Sequence, residues 1–170
     1  VDETGRMLDS SELADTSACS LSSLITEDND QPALILADGT LTENGEPVIM
    51  TQKDVREIQL AKASIAAGIM TLLKKAGKEV ADIDVVYLAG GFGSFIDKIN
   101  AIKIGLIPAE LENKVEVIGN AAGTGAVLSL ISEECLAECD RIAETAEYIE
   151  LSTSADFQEE YIMNMYFPLE

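Results

Sequence analysis

Histidine is absent from the 170 residues, and with it goes the usual neutral-pH general base. Serine and cysteine hydrolase triads and the commonest zinc sites therefore lose their central member. Tryptophan is absent as well, and cations are scarce: 11 Lys+Arg stand against 31 Asp+Glu, a formal charge of -20. Such a surface repels nucleic-acid phosphates and anionic lipid headgroups, which argues against nucleic acid and membrane partners. Cysteine is limited to Cys19, Cys135 and Cys139. An odd number without a secretory apolar stretch reads as a reducing, cytoplasmic setting. Cys135 and Cys139 lie one helical turn apart, but two thiolates without further ligands make no metal claim, and helix packing or surface is the better reading. No metal ligand set and no catalytic residue is assigned.

What is present suffices for a core. Hydrophobic residues make up 47% and mean hydropathy is +0.15, so the negative charge does not signal disorder throughout. The length suits one domain or one half of a larger one. Charge divides the chain. Residues 1–31 carry eight acids and one base, residues 32–132 carry twelve and nine, and residues 133–170 carry eleven and one. An anionic ligand meets least repulsion in the middle. Residues 1–31, rich in Ser, Thr, Asp and Glu and beginning without Met, are expected to be the tail of a preceding subdomain or a linker. Residues 32–168 form the main subdomain, and residues 169–170 read as a cloning remnant.

The pattern alternates strands and helices. Ala33–Ala37 and Val48–Met50 are short apolar runs separated by Asp38-Gly39 and Asn44-Gly45, which predicts a hairpin or two short strands. Thr51, with Asp54 in capping-box spacing, opens a helix over Gln52–Ala76, whose apolar stripe is Val55, Ile58, Ala61, Ile65, Ile69 and Leu72. A buried strand is expected over Val85–Ala89, then a glycine turn over Gly90–Gly93 and a short helix over Asp97–Ile104. A second strand over Val115–Ile118 ends in Gly119-Asn120 and precedes a helix over Ala121–Ile142. A strand over Tyr148–Leu151 and a helix over Asp156–Tyr166 close the chain. This order is that of an α/β fold with helices layered on a mixed sheet.

The two strand–glycine–helix junctions carry the chemical interest, because ligands of open α/β sheets bind beyond the carboxyl ends of strands. Gly90, Gly91, Phe92 and Gly93 allow close backbone approach to a flat ligand, with Phe92 available to a ring or to the core. Gly119, Asn120 and the small residues through Ala126 do the same. Taken alone, each segment is read first as a tight turn with close helix packing. The Gly91–Ile96 stretch lacks the third glycine of the dinucleotide fingerprint, and Gly119–Thr124 lacks the P-loop lysine. On the long helix, Arg56, Gln59 and Lys62 lie away from the expected stripe, where they are either ordinary solvated groups or groups able to reach a base or phosphate.

Four segments occur in order: Thr51–Lys62 (TQKDVREIQLAK), Tyr87–Gly93 (YLAGGFG), Ile104–Pro108 (IGLIP) and Val117–Gly123 (VIGNAAG). In this combination the chain closely resembles, over roughly Gln52 to Phe167, the C-terminal part of the reductive activators of corrinoid proteins. These are ferredoxin-like iron–sulfur ATPases that return Co(II) corrinoids of methyltransferase systems to Co(I). The resemblance implies the C-terminal subdomain of an actin-like (ASKHA) ATPase, the superfamily of acetate and sugar kinases, heat-shock chaperones and actin. By that likeness Gly90, Gly91, Phe92 and Gly93 match the adenosine motif, and Gly119 and Asn120 begin the segment at the hinge between subdomains. Gln59 and Lys62 match a helix that lines the adenine pocket. ATP or ADP with Mg, and a [2Fe-2S] cluster in an N-terminal domain, belong to the intact protein. This chain by itself is expected to bind no cluster and to be inactive. The implied partners are a corrinoid protein, the preceding domains of the same polypeptide and a second copy in a homodimer. Two other readings share these residues: a dimerisation or partner-docking module without nucleotide, and the ATPase lobe of another activase or kinase.

Overall fold

The computed structural model describes residues 1–14, 16 and 19–168, leaving aside the side chains of Cys19, Phe92 and Ser94. The expected cloning remnant at 169–170 lies outside the described residues. Among them the chain forms two compact units, one within residues 1–64 and 161–168, the other of residues 65–160.

The first unit contains a short helix, α1 (Ser10–Ala14), and an antiparallel sheet of β1 (Ile25–Asp28), β2 (Gln31–Ala37) and β3 (Val48–Thr51), in the order β1-β2-β3. The segment read as an acidic tail thus contributes a strand. Asn29 and Asp30, both at positive φ (49° and 60°), form the two-residue turn that pairs Asp28 with Gln31 and Ile25 with Leu34. Short Asx side chains tolerate that left-handed conformation, and the primed turn they make matches strand twist.

Helix α2 (Gln52–Lys75) begins as its cap dictates: the Thr51 hydroxyl accepts from the Asp54 amide at 3.3 Å, and the Asp54 carboxylate accepts from the Thr51 amide at 2.7 Å. The expected buried stripe is corrected. Val55 is buried as expected, but Ile65 is 46% exposed and Ile58 and Leu72 are exposed too, whereas Gln59, Lys62, Ala63, Ala66, Ala67 and Thr71 are buried. The helical period holds but the face is rotated, because alanine lets neighbouring backbone approach closely while the large Ile and Leu side chains do not fit there.

In the second unit β4 (Val86–Ala89) pairs in parallel with β5 (Val115–Gly119), with Ala89 opposite Gly119. The glycine segment after β4 is helical: α3 spans Gly90–Phe95, not the open turn expected. Gly90 makes the bend, at φ 82°. Asp97 caps α4 (Lys98–Lys103) by accepting from the Asn100 amide at 2.8 Å. Ala101, Ile102, Ile107, Leu111 and Val115 form the core under Val86 and Leu88.

Two further expectations need correction. The single helix over 121–142 is two, α5 (Ala121–Ile131) and α6 (Glu133–Thr145), separated by Ser132. Ser132 is extended; its amide donates to the Leu128 carbonyl and its hydroxyl accepts from the Cys135 amide, so one residue ends the first helix and starts the next. The strand expected over 148–151 does not form. There the Glu150 carboxylate accepts from the Tyr148 hydroxyl at 2.6 Å and the Ser152 amide at 3.0 Å, a local arrangement that competes with a ladder. Helix α7 (Ala155–Met163) completes the chain.

Candidate functional site

Parallel pairing of β4 and β5 brings the two glycine junctions to the same sheet end. Because Ala89 lies opposite Gly119, Gly90–Gly93 and Gly119–Asn120 emerge side by side at the strands' carboxyl ends. The surface they build is neutral. Residues 85–96 and 119–131 contain no charged residue, in a chain of formal charge -20. A base or ribose, which needs van der Waals contact and hydrogen bonds, could rest there without ionic repulsion.

The glycines differ in what keeps them free of a side chain. Gly90 at φ 82° and Gly119 at φ 64° have open space where a Cβ would stand, so backbone conformation is what favours glycine. At Gly93 packing decides: a Cβ would lie 2.9 Å from the Leu88 carbonyl carbon. Gly91 has neither reason. It has no positive φ, and a Cβ there would meet nothing within 4 Å; Gly125 on α5 is alike. Two helical glycines with empty space beside them are unfavourable for the helices themselves, so packing inside this chain does not account for them. The side chain of Phe92 lies outside what the structure describes. Asn120 is the N-cap of α5, its amide oxygen accepting from the Gly123 amide at 3.0 Å. A Cβ on Gly123 would collide with that amide group at 2.4 Å. Sequence patterning marked the small-residue run but not which member answers to the backbone, which to packing and which to neither.

Gln59 and Lys62 belong to the first unit and are 5% and 1% exposed, contrary to the solvated reading of Lys62. The Gln59 amide donates to the Thr4 carbonyl at 2.9 Å and the Met165 carbonyl at 2.8 Å. The Lys62 ammonium donates to the Tyr166 carbonyl, and lies 5.2 Å from the centroid of the Phe167 ring. Burial pushes the Lys62 ammonium below the ordinary lysine range. Arg56 is exposed. A cavity of about 880 Å³ in this unit is lined in part by Arg56, Gln52, Gln59, Tyr161 and Tyr166. Among the described residues no group of three or more His, Cys, Asp or Glu could hold a metal, and Cys135 and Cys139 are free thiols on α6.

The family model for the C-terminal domain of RACo, the ASKHA domain, matches residues 4–170. This chain belongs to that family. It is 42% identical over 143 residues to the corrinoid activation enzyme RamQ of Eubacterium limosum, covering 84% of this chain and 24% of that protein. It is 28% identical over 123 residues to the [Co(II) methylated amine-specific corrinoid protein] reductase of Methanosarcina barkeri, covering 71% of this chain and 23% of the other. Among solved structures, a reductive activator for a corrinoid, iron–sulfur protein superposes with a TM-score of 0.84 and 31% identity, over 99% of this chain and 25% of that one. The chain therefore spans about a quarter of the length of the relatives it matches. Its class, α/β with sheets flanked by helices, is the one expected from the sequence. Among the described residues no helix is long and apolar enough to cross a membrane.

Proposed function

We propose that this domain is the nucleotide-binding lobe of an ATP-dependent reductive activator of corrinoid proteins. The observation that carries the reading is Gly91: in a family of ASKHA domains, a helical glycine at the end of a parallel strand has open space where any other residue would place a side chain. Gly90 and Gly119 turn the two strands into their helices, Asn120 fixes the start of α5, and Gly93 lets α3 lie against β4. Together they offer a flat, uncharged main-chain surface that fits an adenosine. Nucleotide bound there supplies free energy that differs between conformations of the whole protein, which is the only way a ligand biases an equilibrium. In the intact protein that bias favours electron delivery from an iron–sulfur cluster to a corrinoid partner's cobalt.

Gly91→Val tests the site in the full-length protein. Valine is no worse than glycine in a helix, and a Cβ at this position meets nothing within 4 Å, so the fold is expected to be retained. The branched side chain fills the space required by the base. ATP and ADP affinity, read by calorimetry, is expected to fall at least about tenfold, or about 1.4 kcal/mol. Unchanged affinity with an unchanged circular dichroism spectrum removes the proposal.

A second reading, a docking or dimerisation module, draws on α5, where Leu130 is 86% and Ile131 74% exposed on a helix without buried residues. A water-facing apolar helix of this kind is usually covered in the complete molecule. Gly91→Val leaves that role untouched and so separates the two.

A further inference from the structure

Helix α2 presents a row of polar groups to main chain instead of to side chains or solvent. Gln52 accepts from the Met7 amide and donates to the Gly5 carbonyl, each at 2.7 Å. Two turns on, Gln59 spends both amide hydrogens on carbonyls, those of Thr4 and Met165. Lys62 donates to the Tyr166 carbonyl and sits near the Phe167 ring. Phe167 in turn donates its amide to the Glu3 carbonyl at 2.9 Å. The N-terminal and C-terminal segments are thus held against each other and against one helix face.

Two physical features make this more than incidental contact. Lys62 is 1% exposed and, among the described residues, has no ion pair, although the chain carries 31 acidic residues. Its compensation comes from the Tyr166 carbonyl and from the face of the Phe167 ring. Gly5 is held to glycine by its φ of 84°, and a Cβ there would stand 2.3 Å from the Gln59 amide group, which would have to shift. The site is shaped around backbone.

We infer that Gln59 and Lys62 are a main-chain clamp that fixes the segment Met165–Phe167 to α2, and are not nucleotide contacts. The clamp sets one wall of the 880 Å³ cavity, since Tyr161, Ile162, Met165 and Tyr166 line it. A ligand that used the Gln59 amide hydrogens would have to displace the Thr4 and Met165 carbonyls, and one that took the Lys62 hydrogen given to Tyr166 would have to displace that carbonyl. The inference stands apart from the glycine surface, so each can fail alone.

Hydrogen exchange on the full-length protein tests it, with Lys62→Met, which keeps the apolar stem and removes the donor. Exchange of the amides of residues 164–167, above all Phe167, is expected to accelerate at least tenfold, while ATP affinity stays within twofold. Phe167→Ala, outside α2, serves as the second variant and is expected to accelerate the same amides in the same way. The inference is overturned if Lys62→Met lowers ATP affinity tenfold with exchange at 164–167 unchanged. It is also overturned if ATP added to the unmodified protein accelerates exchange of 164–167, because the segment would then be yielding its place to the ligand.

Discussion

At the scale of single residues, the glycines after β4 separate three physical demands that look identical in sequence. Gly93 sits where a methyl group would press on the Leu88 carbonyl, so Gly93→Ala is expected to destabilise by roughly 1–3 kcal/mol, the usual cost of overpacking. Gly91→Ala meets nothing and restricts the unfolded chain, so it should be neutral or stabilise by up to about 1 kcal/mol. Urea unfolding of the two variants beside the parent reads the contrast directly, and equal effects would remove the distinction. Nucleotide affinity is the property in which Gly91, and not its neighbour's packing, is expected to matter.

At the scale of elements, what was legible depended on how local the determining contact is. The start of α2 was readable because Thr51 and Asp54 satisfy each other across one turn. Thr51→Ala removes the hydroxyl that accepts from the Asp54 amide and is expected to cost about 1 kcal/mol, seen as a lowered urea midpoint without a change in slope. The break at Ser132 is equally local, since Ser-Glu-Glu is a helix-start signal, but helical spacing on either side of it hides the signal in the sequence. The strand at β1 carried its own signal too, in Asn29-Asp30, masked by the acidic composition around it. The face of α2 had no such signal. Ala63, Ala66 and Ala67 carry as much helical spacing as Ile58, Ile65 and Leu72, and of the stripe that size favoured only Val55 is fully buried.

At the scale of the whole molecule, electrostatics acts against compactness. A formal charge of -20 makes every surface carboxylate repel the rest, and the four ion pairs among the described residues are solvent-exposed and contribute little. Raising NaCl from about 20 mM to about 500 mM shortens the screening length several-fold and is expected to raise the thermal midpoint by a few degrees. A falling midpoint over that range would mean that the exposed ion pairs outweigh the repulsion. The same charge distribution leaves residues 85–96 and 119–131, the stretches that carry both glycine junctions, without a charged side chain.

Local chemistry along the chain was enough to place the strand–glycine–helix order, the cap of α2 and the absence of a histidine-based site, because each depends on residues a few positions apart or on composition. Tertiary packing alone decided which glycines have open space beside them and which face of α2 is covered. It also turned Gln59 and Lys62, polar groups that sequence spacing had left free, toward the carbonyls of Thr4, Met165 and Tyr166. Those partners lie 55 to 106 residues away, a separation across which side-chain periodicity carries no information.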